Sequence, residues 1–368
     1  MATRTPSFLA PRASTLWRMA GRFPPRPRAP YGTSAGTPCP DTRPDPTGAR
    51  TFRAATRAAA AAKPETPARS RTWTPPYPAD LGLILGVLRR GPGDPAFRLT
   101  QDRAVWRASR TPEGPATLRV ALRAGRAEAT AWGPGADWFL DRLPELLGAA
   151  DAPEAFAPRH RLVADSARRA TGLRLTRTGL VLESLIPSVL EQKVTADEAY
   201  RAWRRLLTRH GEPAPGPAPE RMAVMPDPRS WSLIPSWEWH RAGVDDKRAA
   251  TILRAVRLHS RLERAATLPP EKAAALLEAV PGIGPWTSAE VVQRTHGAPD
   301  AITTGDLHLP GIIGYALTGD RTTDDAAMLE LLAPYAGQRH RAARLILLAG
   351  RVPPRRTPKM PYSDISRL

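Results

Sequence analysis

Pro281-Gly-Ile-Gly-Pro-Trp286 is a short stretch rich in glycine and proline that lies between two segments with helical spacing. In the segment before it, residues 271–280, Leu277 and Val280 recur at the interval that brings side chains onto one helix face. Residues 287–294 return to a helical pattern after it. Glycine and proline at this density interrupt regular structure. The stretch therefore predicts a helix, a tight hairpin and a second helix.

The composition of this hairpin suits contact with a phosphate backbone. Gly282 and Gly284 have no Cβ and can adopt positive φ, so another chain can approach them closely. Ile283 between them is expected to turn inward and anchor the turn in the core. The second helix begins within the hairpin, and its free N–H groups and dipole favour an anion near Thr287. We predict that Pro281, the Gly-Ile-Gly turn and Thr287 contact a nucleic-acid backbone without reading its sequence. An ordinary helical corner is the alternative for Gly-x-Gly alone.

A longer motif extends the hairpin on both sides. Val280-Pro-Gly-Ile-Gly-Pro-Trp-Thr-Ser-Ala289 is followed by Gly305-Asp306, which places Asp306 20 residues after Trp286. This arrangement resembles the helix-hairpin-helix DNA glycosylase superfamily, and within it the DNA-3-methyladenine glycosylase II branch. Four further segments support the resemblance over residues 73–349: Trp73-Thr-Pro-Pro-Tyr77, Gly172-Leu-Arg-Leu175, Ser184-Leu-Ile-Pro-Ser-Val-Leu-Glu-Gln-Lys-Val-Thr195 and Gly243-Val-Asp-Asp-Lys-Arg-Ala249.

The pattern of the whole chain predicts an α+β fold. Residues 103–109, 117–122 and 126–132 alternate as strands do, whereas the pattern from Arg159 onward is helical. We expect a small antiparallel sheet domain, similar by resemblance to the TATA-binding protein, followed by an all-helical glycosylase domain. The predicted boundaries are 1–72 for a disordered extension rich in Arg, Pro and Ala, 73–155 for the sheet domain, 156–350 for the helical domain and 351–368 for a C-terminal tail.

Asp306 is the candidate catalytic residue. A 3- or 7-alkylated purine is already cationic in the substrate and becomes neutral when it leaves, so its release needs little acid catalysis. A carboxylate can stabilise the oxocarbenium-like sugar and orient the attacking water. The resemblance matches the family's catalytic aspartate to Asp306. The alternative is an N-cap for the helix that follows, and both roles can hold at once.

Trp286 and Glu290 are predicted to line the pocket for the flipped base. The resemblance implies that lyases of the superfamily carry a lysine where Trp286 stands, so a tryptophan there predicts a monofunctional enzyme and can stack on a base. No lysine other than Lys272 is expected near the hairpin. Glu290 lies one helical turn after Trp286, where a carboxylate would attract a cationic purine. The alternatives for Glu290 are exposure to solvent or pairing with Arg294, its i+4 neighbour.

The loop predicted to insert into DNA is Glu191-Gln-Lys-Val-Thr195. A glycosylase that flips a base must fill the vacancy. By resemblance the inserting position matches Lys193. The family generally places an apolar wedge or a polar residue there, so Lys193 departs from the pattern and Gln192 is the alternative.

Charge and composition limit the remaining possibilities. Residues 1–72 hold 13 Lys and Arg against 3 Asp and Glu, more than half of the net charge of +19. This excess fits a polyanionic partner. The single cysteine, Cys39, excludes an intrachain disulfide, a cysteine-rich zinc site and a four-cysteine iron–sulfur cluster. No stretch approaches the roughly 18 apolar residues of a membrane span.

The predicted function is excision of alkylated purines, of the 3-methyladenine and 7-methylguanine type, from double-stranded DNA by a monomeric enzyme. Neither a cofactor nor a structural metal is expected, although the resemblance implies a monovalent cation on the hairpin carbonyls. The expected location is the cytoplasm, with the nucleoid. An Arg-rich start also resembles an organelle transit peptide. Two alternative functions stay open: a non-catalytic DNA-binding protein and a glycosylase for deaminated or oxidised purines.

Overall fold

Five antiparallel strands form the sheet in the order β1-β5-β4-β3-β2. The computed structural model describes residues 67–354. The strands are β1 Arg69–Trp73, β2 Phe97–Leu99, β3 Val105–Thr111, β4 Gly114–Arg123 and β5 Arg126–Trp132. Leu118 and Val120 of β4 are fully buried beneath three helices, α1 Leu81–Leu85, α2 Ala136–Asp141 and α3 Leu143–Leu146. The predicted α+β class is confirmed.

The first and second strands were missed by the sequence analysis. β1 begins at Arg69, four residues before the predicted start of the sheet domain, so residues 69–72 do not belong to a disordered extension. Its residues, Arg-Ser-Arg-Thr-Trp, are mostly exposed, and the strand forms by backbone pairing with β5 rather than by burying an apolar face. Residues 1–66 of the predicted extension and residues 355–368 of the predicted tail lie outside the described residues.

Helices make up most of the chain after the sheet. They are α4 Arg161–Arg169, α5 Val181–Leu190, α6 Ala196–His210, α7 Pro228–Ser232, α8 Ser236–Ala242, α9 Asp246–Arg257, α10 His259–Glu263, α11 Pro270–Glu278, α12 Pro285–Thr295, α13 Leu309–Leu317, α14 Asp325–Leu332 and α15 Arg339–Ala349. A two-residue pairing of β6 Glu212–Pro213 with β7 Ala223–Val224 interrupts the predicted helical run. Among residues 67–354, no helix is both long and apolar enough to cross a bilayer.

Helix α5 lies at the centre of the helical part. Nine of its ten residues are buried, including Leu185 and Ile186, and they pack with α6, α9 and α12 in the largest apolar cluster. The loop after α5 ends at Thr195, which begins α6 with a capping box: Thr195 Oγ1 accepts from the Glu198 amide, and the Glu198 carboxylate accepts from the Thr195 amide. This core fixes the predicted DNA-facing loop at both ends.

Candidate active site

The hairpin between α11 and α12 is tight, and its two glycines differ. Gly282 has φ +97°, and a Cβ there would lie 2.2 Å from Thr251 Oγ1 of α9. Ile283 is buried in the core as expected, and its amide donates to the Val280 carbonyl at 3.0 Å. Gly284 has φ −116°, so this second glycine does not use the positive φ that it could adopt. Only Gly282 is required by backbone conformation and packing.

Most residues at the turn are exposed to solvent, whereas Thr287, in the helix that follows, is buried. Pro281, Gly282 and Pro285 are exposed, whereas Thr287 is 2% exposed. Helix α12 begins at Pro285, so the amide end of an 11-residue helix opens onto this exposed turn. A helix start of this kind attracts anions. The predicted phosphate contact stays a prediction that this geometry permits.

Asp306 contacts two different parts of the site. Its Oδ2 accepts a hydrogen bond from Trp286 Nε1 at 3.1 Å. Its Oδ1 accepts from the amides of His308 and Leu309, each at 2.8 Å, at the start of α13. The carboxylate is half-buried. Asp306 therefore holds the first backbone amides at the start of α13, although the N-cap residue of this helix is His308. The same hydrogen bonds keep its second oxygen beside the indole of Trp286.

The loop that carries Asp306 is held from both sides. Gly305 has φ +75°, and its amide donates to Asp325 Oδ2 at 2.7 Å. Thr303 is buried and accepts from Gln293 Nε2 of α12 at 2.9 Å. Leu307, directly after Asp306, is 86% exposed. The sequence analysis did not single out Leu307, because an isolated leucine in a loop carries no pattern that reveals its exposure.

Glu290 does not open onto a pocket, which corrects the predicted role. It is 1% exposed, and its Oε2 accepts from Arg294 Nη1 at 2.9 Å. Its Oε1 accepts from Thr303 Oγ1 at 3.2 Å. Burial lowers the pKa of Arg294, and the charge of Glu290 opposes that shift. Of the alternatives for Glu290, the pairing with Arg294 is the one observed. Both side chains are buried, and a buried charge needs a partner of opposite charge.

A cluster of buried charges surrounds this pair. Arg90 Nη1 donates to Glu191 Oε1 at 3.0 Å, and burial raises the pKa of Glu191. Arg294 Nε also donates to the Val87 carbonyl at 3.2 Å. A small cavity between the sheet and α5 is lined by polar side chains that include Arg90, Asp94, Arg107, Glu183, Trp203 and Arg294. Sequence reasoning missed this cluster, since its members come from distant segments and form no local motif.

The predicted inserting loop touches the hairpin through Gln192. Its Nε2 donates to the Gly282 carbonyl at 3.0 Å and to Thr287 Oγ1 at 2.8 Å. Lys193 has φ +54° and is exposed. Gln192 therefore faces the hairpin, and the next residue projects from the surface. The expectation that no lysine other than Lys272 lies near the hairpin stays a prediction.

Three hairpin carbonyls at the site of the predicted monovalent cation accept hydrogen bonds from the protein. The Val280 carbonyl accepts from Ile283, the Pro281 carbonyl from Arg254 Nε at 3.0 Å, and the Gly282 carbonyl from Gln192. The guanidinium of Arg254 also brings a positive charge to the turn. The monovalent cation stays a prediction, and no chemical step is assigned to one. Within residues 67–354, no group of three or more His, Cys, Asp or Glu side chains could hold a metal ion.

Solved structures with the same fold come from DNA glycosylases. MBOgg1 in complex with a low-affinity DNA ligand superposes with a TM-score of 0.62 at 14% identity, over 77% of this chain and 95% of that one. A 3-methyladenine DNA-glycosylase from Archaeoglobus fulgidus gives 0.61 at 16% identity, over 76% and 97%. The apo-form of an 8-oxoguanine glycosylase/lyase from Clostridium acetobutylicum gives 0.60 at 10% identity, over 77% and 98%. No protein-family model matches the sequence, and no curated protein does. The chain thus shares the fold of both alkyl-base and oxidised-base glycosylases.

Proposed function

We propose that this protein is a monofunctional DNA glycosylase that flips alkylated purines, of the 3-methyladenine and 7-methylguanine type, out of duplex DNA and hydrolyses their N-glycosidic bonds. The observation that carries the proposal is the contact between Trp286 and Asp306 at the start of the hairpin helix. It joins an aromatic surface, a fixed carboxylate and a helix amide end within one short region.

Asp306 supplies the electrostatic part of the proposed reaction. Two backbone amides hold Oδ1, so the carboxylate cannot turn away as charge develops on the sugar. A preorganised negative charge stabilises an oxocarbenium-like transition state and can orient the attacking water. A 3- or 7-alkylated purine is already cationic before release, so no separate acid is required. The ring of Trp286 lies beside this carboxylate and can stack on the flipped base.

A second candidate is a glycosylase for oxidised or deaminated purines. The pairing of Glu290 with Arg294 favours it, because the negative charge expected to select a cationic base is already neutralised. A neutral lesion would then lose nothing relative to a cationic one at this position. A third candidate, a DNA-binding protein without activity, would keep the hairpin but would not depend on Asp306.

Base release from a panel of duplexes distinguishes these candidates. Duplexes containing 7-methylguanine, 3-methyladenine, hypoxanthine or 8-oxoguanine are incubated with the wild type, Asp306→Asn and Asp300→Asn. Asp300 is a matched control, because it pairs with Arg339 Nη1 at 2.5 Å and accepts from the Arg339 amide, away from Trp286. We expect Asp306→Asn to lose about 10²-fold or more of base release while keeping duplex affinity, and Asp300→Asn to keep both.

Each other outcome has a distinct meaning. Equal release by wild type and Asp306→Asn would limit Asp306 to holding the start of α13. Release of 8-oxoguanine or hypoxanthine without release of methylated purines would support the second candidate, a glycosylase for oxidised or deaminated purines. Duplex binding with no release from any lesion would favour the third.

A further inference from the structure

We propose that Arg254 of helix α9 binds a phosphate of the DNA backbone beside the hairpin, as a charged contact from outside the helix-hairpin-helix motif. This inference rests on the proposed function only in taking duplex DNA to be the ligand of the hairpin. It depends neither on base release nor on the identity of the damaged base.

Two hydrogen bonds hold the guanidinium of Arg254 against the turn. Its Nε donates to the Pro281 carbonyl at 3.0 Å, and its Nη2 donates to Thr251 Oγ1 at 3.0 Å. The Thr251 hydroxyl donates in turn to the Lys247 carbonyl at 2.8 Å, and a Cβ added to Gly282 would lie 2.2 Å from it. The guanidinium is therefore fixed at the edge of the exposed turn.

The charge of Arg254 is not neutralised within the part of the chain that the structure describes. Both of its hydrogen-bond acceptors are uncharged, and no carboxylate of residues 67–354 forms an ion pair with it. Arg248 on the same helix differs, because it is buried and pairs with Asp245 at 2.6 Å. A guanidinium has several further N–H donors, and a phosphate oxygen supplies both an acceptor and the missing negative charge.

The surroundings of Arg254 also favour an anion at the turn. Carbonyl oxygens carry partial negative charge and repel a phosphate, but two of those at the turn already accept hydrogen bonds. The Pro281 carbonyl accepts from Arg254, and the Gly282 carbonyl accepts from Gln192 Nε2. Helix α12 begins at Pro285 with the positive end of its dipole. Arg254 thus adds a full positive charge to a surface whose nearest carbonyls are covered.

A purely structural role is the alternative for Arg254. The same two hydrogen bonds would join α9 to the hairpin and stabilise the fold without any contact with DNA. The two roles differ in the salt dependence of DNA binding. A side chain that neutralises one phosphate contributes about −0.9 to the slope of the logarithm of the association constant against the logarithm of salt concentration, whereas a structural contact contributes nothing.

Fluorescence anisotropy of the full chain with an undamaged duplex, between about 50 and 200 mM KCl, measures this slope. We expect Arg254→Met to make the slope shallower by about 0.9 and to weaken binding about eightfold at 0.1 M KCl, which is the factor that this slope gives relative to 1 M. Arg126, at the exposed turn between β4 and β5, is a charge-matched control. Arg126→Met removes the same charge from the sheet domain and should keep the wild-type slope.

Arg254→Lys separates the charge from the hydrogen bonds. Lysine keeps the positive charge but cannot reproduce the forked geometry of the guanidinium. We expect this variant to keep most of the wild-type slope, whereas a structural role predicts equally weakened binding by the Lys and Met variants at an unchanged slope. Urea denaturation reports whether the variants are folded. If Arg254→Met is not, Arg254→Gln replaces it, because glutamine is uncharged and retains a side-chain N–H donor.

The result that overturns this proposal differs from the one that overturns the proposed function. A wild-type slope in the uncharged Arg254 variant, an equal change of slope in Arg126→Met, or no duplex binding by the wild type would each overturn the phosphate contact. Base release from lesion duplexes is measured separately. A wild type that binds duplexes with a slope dependent on Arg254 but releases no base would overturn the proposed function alone.

Discussion

Two carboxylates that follow Trp286 in the sequence, Asp306 and Glu290, have opposite surroundings. Asp306 is half-buried and is held by donors within its own stretch of chain, Trp286, His308 and Leu309. Glu290 is almost fully buried and pairs with Arg294, whose guanidinium also reaches the Val87 carbonyl across 207 positions of sequence. The first arrangement is suited to a group that meets a substrate. The second compensates charges in the interior, where an unpaired ion is costly.

The largest expected effect is a difference in protein stability between variants of these two carboxylates. Glu290→Ala removes the carboxylate that pairs with the buried guanidinium of Arg294. We expect the free energy of unfolding to fall by about 3–5 kcal/mol, as for other broken buried pairs. Asp306→Asn keeps an oxygen that can accept from the α13 amides, so its loss should stay below about 1 kcal/mol. Urea denaturation followed by circular dichroism measures both.

A double variant controls for the ion pair itself. Replacing both partners, with Glu290→Leu and Arg294→Met, removes two buried charges together and should recover much of the lost stability. A Glu290→Ala protein as stable as wild type would show that Glu290 is hydrated. It would also return this carboxylate to consideration as part of the base pocket.

Sequence reasoning succeeded where the determinants are local. The helix–hairpin–helix and the inward turn of Ile283 depend on residues close in sequence, and the alternating segments of β3 to β5 carry their own signal. β1 carries no such signal, because it is defined by its partner strand β5. The pairing of Glu290 with Arg294 is local, but whether that pair is buried or faces a pocket is decided by packing against distant segments such as the one with Val87.

The two hairpin glycines provide a second comparison, with an intermediate expected effect. Gly282→Ala places a Cβ in a left-handed conformation and against Thr251, so we expect a loss of about 2–3 kcal/mol in unfolding free energy. A Cβ on Gly284 meets no heavy atom within 4 Å, and Gly284→Ala should change stability by less than about 0.5 kcal/mol.

The predicted phosphate contact at Gly284 is tested separately, by measuring DNA binding of Gly284→Ala. If a phosphate approaches this part of the turn, the added methyl group will weaken duplex affinity without unfolding the protein. Fluorescence anisotropy with an undamaged duplex measures this effect. Unchanged affinity would move the phosphate contact away from Gly284, and a large loss of stability would contradict the open space at this position.

The smallest expected effect is on the pH dependence of stability, and it concerns the buried side chain of His340. His340 lies on α15 with Arg341 and Arg344, and all three side chains are buried. Burial, together with Arg344, Arg294 and Arg341, lowers the pKa of His340 well below its usual value. The folded protein therefore keeps this imidazole neutral at a pH where the unfolded chain protonates it, at and below about pH 6.5.

The direction of the pH effect follows from proton binding. Below pH 6.5 the unfolded state binds one more proton at His340 than the folded state, so this contribution to stability is present above that pH and is lost as the pH falls towards the folded pKa. The loss reaches at most about 1.4 kcal/mol per pH unit. His340→Gln removes the titrating group, so between pH 6.5 and 5 its unfolding free energy should fall by about 1–2 kcal/mol less than that of the wild type. His210 and His296, whose pKa values are also lowered mainly by burial, are common to both proteins and cancel in the difference. If the unfolding free energies of wild type and His340→Gln instead change with pH in parallel, the folded protein accommodates a charged His340. The interior around His340 would then tolerate charge as readily as the half-buried surroundings of Asp306.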